Sequence, residues 1–281
     1  MQNLTDIIHA AKRARNLSDQ QMVNQVREYL QVLILKAIYQ SKYGRGLSFS
    51  GGTCLRICYV LKRFSEDLDF CLDAAIPEYS FGDLNKIIIR FLEQRGFSVD
   101  GHAREDKVVQ KSFVRFAQVL SLVGTSFRKD QKMHIKLEVD TRPVPVTDKE
   151  RESFFVTKFD ENFPILKHTN DTLFAGKILA VLNRVYTKGR DYYDLIWHLS
   201  RKTKINFAYL NEGHLRQGAK KPFQDIGEVF QTLSEKVALV SLDAILKDLG
   251  PFLEDPSEET WIRNYRQIFR QLIEQYLPEG V

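Results

Sequence analysis

The hexapeptide Asp67-Leu68-Asp69-Phe70-Cys71-Leu72 alternates polar and apolar side chains at every step. A helix cannot present that period, and a half-buried strand requires it. Upstream, Leu47-Ser48-Phe49-Ser50 reads as a short strand that breaks at Gly51-Gly52, and residues 54–62 read as the helix that follows. Strand, glycine turn, helix and acidic strand therefore form the frame around which the rest must fold. In the acidic strand Asp67 and Asp69 share one face while Leu68 and Phe70 enter the core.

The remaining periodicities divide the chain in two. Residues 20–43 carry Met22, Val26, Tyr29, Leu30, Leu33 and Ala37 at helical steps, with Ser18-Asp19 as the cap. A helix over 83–95 stops at Gly96, and strands follow at 97–101, 112–123 and 133–140, the last two flanking a basic loop at 128–132. The prolines of 142–148 close this α/β half. Beyond Pro164 the pattern predicts helices only, over 171–186, 190–202, 223–249 and 257–276. The expected organisation is α+β, with an α/β domain over 1–163 and a helical domain over 164–281.

Composition excludes several classes. No apolar run approaches the roughly 20 residues of a membrane span, and the N-terminus carries no secretory pattern, so a cytoplasmic protein with no membrane partner is expected. Cys54, Cys58 and Cys71 sit among apolar neighbours and read as reduced core thiols. The six histidines are scattered and no CxxC pair exists, which speaks against zinc. A formal charge of +5 permits an anionic partner.

Two carboxylates on one strand face repel, and their usual compensation is a cation. Asp67 and Asp69 are therefore a natural seat for Mg²⁺ or Mn²⁺, hard ions that take oxygen ligands. A third carboxylate on a neighbouring strand would complete a two-metal site. Residues 136–140 supply it in Glu138, with Asp140 as the alternate on the same face. The turn Ser50-Gly51-Gly52-Thr53 offers backbone N–H groups at a helix N-terminus and two hydroxyls, a cradle for phosphate. Arg63 is expected at the surface. In the helical half, Lys177, Arg184 and Lys188 recur at steps of seven and four and share one helical face by spacing, followed by Arg190, Asp191 and Asp194.

These stretches together, "SGGTCLR", "RFSEDLDF", "KLEVD", "GKILAVLNR" and "GRDYYDL", resemble the AbiEii/AbiGii family of nucleotidyltransferase toxins within the polymerase-β-like superfamily. The resemblance spans about residues 45–200. It implies a nucleotidyltransferase-type mixed sheet flanked by helices, and transfer of a nucleoside monophosphate from an NTP to an acceptor hydroxyl. By the same resemblance Asp67 and Asp69 hold the metals, and Glu138 or Asp140 orients or deprotonates the acceptor. Thr53 stands where the superfamily commonly has serine. Lys177 contacts the triphosphate and Asp191 orients nearby basic groups, with Ser50, Gly51, Gly52, Arg184, Lys188 and Arg190 as further nucleotide contacts. RNA, with tRNA foremost, is the expected acceptor, and a cognate antitoxin the expected partner. The alternatives are nucleotidylation of a protein or small molecule, and a binding module that holds an NTP or antitoxin without chemistry. Tyr192, Tyr193 and Leu195 are expected to pack rather than to stack on a base.

Overall fold

The computed structural model describes residues 4–9, 17–124 and 131–277. The chain forms two compact units, Met1–Pro143 with Arg151–Lys167, and Val144–Glu150 with His168–Val281.

The first unit is built on a seven-stranded mixed sheet. Its strands are β1 (Leu47–Ser50), β2 (Asp67–Leu72), β3 (Val99–Arg104), β4 (Val109–Phe116), β5 (Met133–Asp140), β6 (Arg151–Lys158) and β7 (Glu161–His168), in the order β3-β4-β5-β2-β1-β7-β6. β2 pairs antiparallel with β1 and parallel with β5, while β4 pairs antiparallel with both β3 and β5. Alternation dictates the layers. Leu68, Phe70, Leu137, Val139, Val114 and Phe116 are buried on one face, where Phe49 and Phe70 stack at 5.3 Å between ring centroids. Helices α1 (Asp19–Tyr39), α2 (Gly51–Tyr59), α3 (Phe81–Glu93) and α4 (Val119–Val123) complete the unit. Ser18 and Gln21 form a reciprocal capping box that starts α1, so the expected cap is present.

Several elements differ from expectation. α1 ends at Tyr39 rather than residue 43, and α2 begins at Gly51 itself and stops where Val60 adopts a left-handed backbone, φ +56°. The apolar run expected as one strand over 112–123 is β4 followed by α4; the break falls at Gln118, φ +63°. Most of the basic loop, 128–130, lies outside the described residues. β6 and β7 appear where the sequence suggested no strand. They are joined by a two-residue turn, Phe159-Asp160, with φ of +55° and +60°, the signs of the turn whose twist suits a hairpin.

The second unit contains α5 (Asn170–Asn183), α6 (Gly189–Ser200), α7 (Phe207–Arg216), α8 (Ile226–Leu239), α9 (Leu242–Leu249), α10 (Glu259–Arg263) and α11 (Tyr265–Tyr276). The predicted helix 223–249 breaks at Val240, and Ser241 caps α9 by accepting the Ala244 N–H. The predicted 257–276 helix breaks at Asn264, and α7 was not anticipated.

A buried histidine makes this unit sensitive to acid. His198 is fully buried, stacked on Phe174 at 4.5 Å and edge-on to Trp197, and neither ring nitrogen finds a hydrogen-bond partner among the described residues. Burial, with the nearby Lys177 and Arg201 charges, pushes its pKa down to about 3 against the opposing pull of Asp194. The unfolded chain therefore binds a proton near pH 6.5 that the folded chain refuses. Stability is complete above that pH and falls as pH drops toward 3, by roughly 2 kcal/mol at pH 5. Thermal unfolding across pH 7 to 5 should show this loss, and His198→Leu should flatten it. An unchanged slope in the variant would assign the acid sensitivity elsewhere.

Candidate functional site

The register of the sheet gathers the acidic residues. Asp69 lies opposite Ser50 on one side and opposite Glu138 on the other; Asp67 lies opposite Lys136, and Asp140 opposite Cys71. Neighbouring strands stand about 4.8 Å apart, so Asp67, Asp69, Lys136 and Glu138 form two adjacent cross-strand pairs on one face. Of the two candidates for the third carboxylate, Glu138 is the one beside Asp69. Asp140 accepts the Arg142 N–H at 2.9 Å.

Glu138 is already engaged. Its oxygens meet Lys111 Nζ at 2.8 Å and Lys136 Nζ at 2.6 Å. Burial alone would raise its pKa, but the hydrogen bonds from Lys111 and Lys136 outweigh that and hold it below the usual carboxylate value. Lys136 shows the converse. Burial would lower its pKa, yet the hydrogen bond to Glu138 and the charges of Asp67 and Asp69 raise it. An ammonium thus stands among the carboxylates as a resident cation. Sequence reasoning missed Lys136, although strand parity in 136–140 places it on the face of Glu138.

The glycine turn shapes the other side. Gly51 has φ +74°, and a Cβ there would lie 2.2 Å from Asp69 Oδ2, so both the backbone and the Asp69 carboxylate demand glycine. Gly51→Ala should cost about 1–2 kcal/mol from the left-handed backbone alone, and should displace Asp69. Chemical denaturation combined with Mn²⁺ binding by electron paramagnetic resonance would check both; unaltered Mn²⁺ affinity would separate the turn from the seat. Ser50 occupies the N-cap of α2 without a side-chain cap, and its hydroxyl bonds instead to the Asp69 carbonyl at 3.3 Å. The first N–H groups of α2 thus receive no cap from the Ser50 side chain.

Thr53 departs from expectation. Its hydroxyl is fully buried and donates to the Asp67 carbonyl, which fastens the start of α2 to the start of β2 rather than presenting an oxygen to a ligand. Arg63, expected at the surface, is 1% exposed. It donates to the Phe64 carbonyl at 2.9 Å, and its guanidinium lies where a Cβ on Gly52 would fall.

In the second unit a separate charge cluster forms. Lys177 Nζ meets Asp191 Oδ1 at 2.9 Å and Asp194 Oδ2 at 2.7 Å, and Arg184 Nε meets Asp191 Oδ2 at 2.8 Å. Burial would raise the Asp191 pKa, but Lys177, Arg184 and Lys188 bring it down to about 2. The shared helical face predicted for the three cations is not realised. α5 ends at Asn183, Arg184 is its extended C-cap, and Lys188 is the N-cap of α6. They gather on Asp191 instead. Asp194, fully buried, is a partner that sequence spacing did not single out for this role. Arg190 turns to Asp248 through its backbone N–H and Nε, at 3.1 and 3.4 Å, and stacks over Phe252, which ties α6 to α9. Tyr192, Tyr193 and Leu195 are buried and pack as expected.

No curated protein matches the chain. Among solved structures it is similar to the nucleotidyltransferase toxin MenT4 of Mycobacterium tuberculosis H37Rv, with TM-score 0.57 at 18% identity, covering 98% of this chain and 90% of that one. It is also similar to JHP933 from Helicobacter pylori, TM-score 0.52 at 19% identity over 91% of this chain and 94% of that one. A putative H. pylori nucleotidyltransferase scores 0.52 at 18% identity, covering 90% and 97%. At such identities the likeness carries the fold: a mixed seven-stranded sheet with flanking helices. The sequence itself matches the nucleotidyl transferase AbiEii toxin family of type IV toxin–antitoxin systems over residues 33–278. With that match covering most of its length, the chain belongs to the AbiEii family of nucleotidyltransferase toxins.

Proposed function

We propose that this toxin transfers a nucleoside monophosphate from an NTP to a hydroxyl of RNA, with tRNA the foremost acceptor, and that it depends on a divalent metal held by Asp67 and Asp69. The observation that carries the reading is the cross-strand row Ser50, Asp69, Glu138 beside the pair Asp67 and Lys136. It sets a carboxylate pair directly against a glycine turn that opens a helix.

The residues fit a hard cation. Asp67 and Asp69 offer carboxylate oxygens alone, and the ammonium of Lys136 already stands in their field, so the face is built around positive charge. When bound, Mg²⁺ or Mn²⁺ neutralises phosphate oxygens and stabilises the departing pyrophosphate. The chain's own residues do the rest. The backbone N–H groups of Gly51, Gly52 and Thr53 favour phosphate at the start of α2. Lys177, the lysine that the family resemblance assigns to the triphosphate, has its ammonium held by Asp191 and Asp194, with Arg184 and Lys188 adding positive charge. Glu138, ion-paired twice and of lowered pKa, is a weak base. Its part is to hold Lys136 and Lys111, and Asp67 and Asp69 therefore serve as the ligand pair without it. As a toxin of a type IV system, its expected protein partner is an antitoxin.

The test is to incubate the protein with total tRNA, Mg²⁺ and each labelled NTP in turn, with Asp69→Ala as control. Label on RNA from one or two donors, absent in the variant, supports the reading. Pyrophosphate release with no label on RNA would move the acceptor to a protein or small molecule.

A further inference from the structure

The face that carries Asp67 and Asp69 continues outward across three more strands. Lys136 lies opposite Phe113, and Phe113 opposite His102; Glu138 lies opposite Lys111, and Lys111 opposite Arg104. Two rows thus run from the carboxylates to the β3 edge, one reading Asp67, Lys136, Phe113, His102 and the other Asp69, Glu138, Lys111, Arg104. At about 4.8 Å per strand, Phe113 stands about 10 Å and His102 about 14 Å from Asp67.

This face is open. Ser112, Val114 and Phe116 point to the core, and Asn85 of α3 bonds to Gly101 and Ser112 on that side. Phe113 and its neighbours take the other face, where Phe113 is 47% exposed and His102, Arg104, Arg115 and His134 are exposed too. A phenyl ring left about half exposed between two basic residues of its own strand, Lys111 and Arg115, leaves apolar surface in water. Toward the β3 edge Asp100 is the one carboxylate on this face among the described residues, and it is matched by Arg115 and by Lys132 at 2.7 Å. Rings and cations interleaved on a sheet are the chemistry that takes single-stranded nucleic acid. Bases stack on the rings and phosphates meet the cations.

We propose that the open face of β3, β4 and β5 is the platform on which a single-stranded segment of the acceptor RNA lies. Phe113 and His102 stack its bases, Arg104 meets its backbone, and the rows lead its terminal hydroxyl toward Asp67 and Asp69. The charge of the face complements a polyanion, and its rows are continuous with the carboxylates, which an unrelated docking surface has no need to be. The inference rests on the RNA reading above and specifies where that RNA sits.

The experiment measures binding of a short, unstructured, fluorescein-labelled RNA by anisotropy across a salt series, alongside label transfer to tRNA. Phe113→Ala should weaken binding about tenfold, the loss of one stacked base, and raise KM for RNA with kcat unchanged; Phe113→Trp should restore both. Arg104→Ala should make the salt dependence shallower by about 0.7 in the log–log slope, one phosphate contact on a single strand. Thermal midpoints confirm that each variant is folded. If the wild type labels tRNA while Phe113→Ala and Arg104→Ala match it in affinity and KM, the platform is overturned and the RNA reading stands. If the wild type neither binds nor labels RNA, both fall. Variants that label RNA normally but escape neutralisation by the antitoxin would assign the face to the protein partner, which also overturns the proposal.

Discussion

Asp69→Asn is expected to reduce nucleotidyl transfer at least about a thousandfold, a loss of some 4 kcal/mol of transition-state stabilisation, while the protein stays folded. The two halves of that expectation have separate causes. Asn keeps the size and shape of Asp, so it fits the space beside Gly51 that the absence of a Cβ leaves. The position lies on the sheet face away from the core, and removing one negative charge there relieves repulsion with Asp67. What the amide cannot supply is the second anionic oxygen ligand that a hard cation requires. Label transfer, Mn²⁺ binding and thermal unfolding should be measured on one preparation. Retained transfer would remove Asp69 from the metal seat, and a large drop in thermal midpoint would mean that the carboxylate serves the fold. Asp67→Asn is expected to behave alike, because Asp67 lies on the same face two residues away.

Lys177→Met is expected to destabilise the helical unit strongly, by about 3–5 kcal/mol. Asp191 and Asp194 are 2% and 0% exposed at their side chains and both place an oxygen on the Lys177 ammonium. Without it, Arg184 still reaches Asp191, but Asp194 loses the ammonium that faces it. A buried carboxylate that loses its ammonium must be protonated or draw in water, and either costs stability. Pairing the change with Asp194→Asn removes that buried charge and should recover a large part of the loss, while the KM for NTP stays raised if Lys177 binds the triphosphate. Denaturant unfolding of the single and double variants checks the first point. The KM for NTP, measured where both variants are folded, checks the second. Equal stability of the single variant and wild type would show that the cluster does not hold the helices together, and an unchanged KM would take Lys177 out of triphosphate binding.

The parts of the fold that were legible share a local cause. β2 and β5 announce themselves through strict alternation, and α1 through a cap and a helical stripe, because each signal is written within one element. β4 and α4 were fused into one strand because the apolar run continues across their junction, and nothing in Ala117-Gln118 marks the turn. β6 and β7 were missed for two reasons. Their turn uses Phe159-Asp160, where glycine or asparagine would have signalled positive φ, and Pro164 speaks against a strand. β7 pairs with β1 at Lys167, three residues beyond Pro164.

The site was legible to the same depth. Which acids share a face follows from parity, but which acid stands beside which depends on the pairing of β2 with a strand more than sixty residues away. That is why Glu138 and Asp140 could not be separated beforehand, and why the engagement of Thr53 with the Asp67 carbonyl went unseen. The turn between α5 and α6 is the same lesson in the other unit. Regular spacing suggested one face for Lys177, Arg184 and Lys188, whereas the chain leaves the helix at Arg184 and brings the cations together through a bend.

The ammonium of Lys136 also bears on how the acidic seat comes into being. β2 is synthesised before β5, and until β5 docks its carboxylates face water. The docking strand brings a countercharge fixed to the chain at a ratio of one per molecule, so closing the sheet draws on no dissolved ion. If the proposed divalent ion binds at Asp67 and Asp69, folding and loading are separate events, and the ion enters a face that already holds a positive charge rather than bare anions. On the proposed metal reading, the toxin would reach its folded shape in a cell short of magnesium.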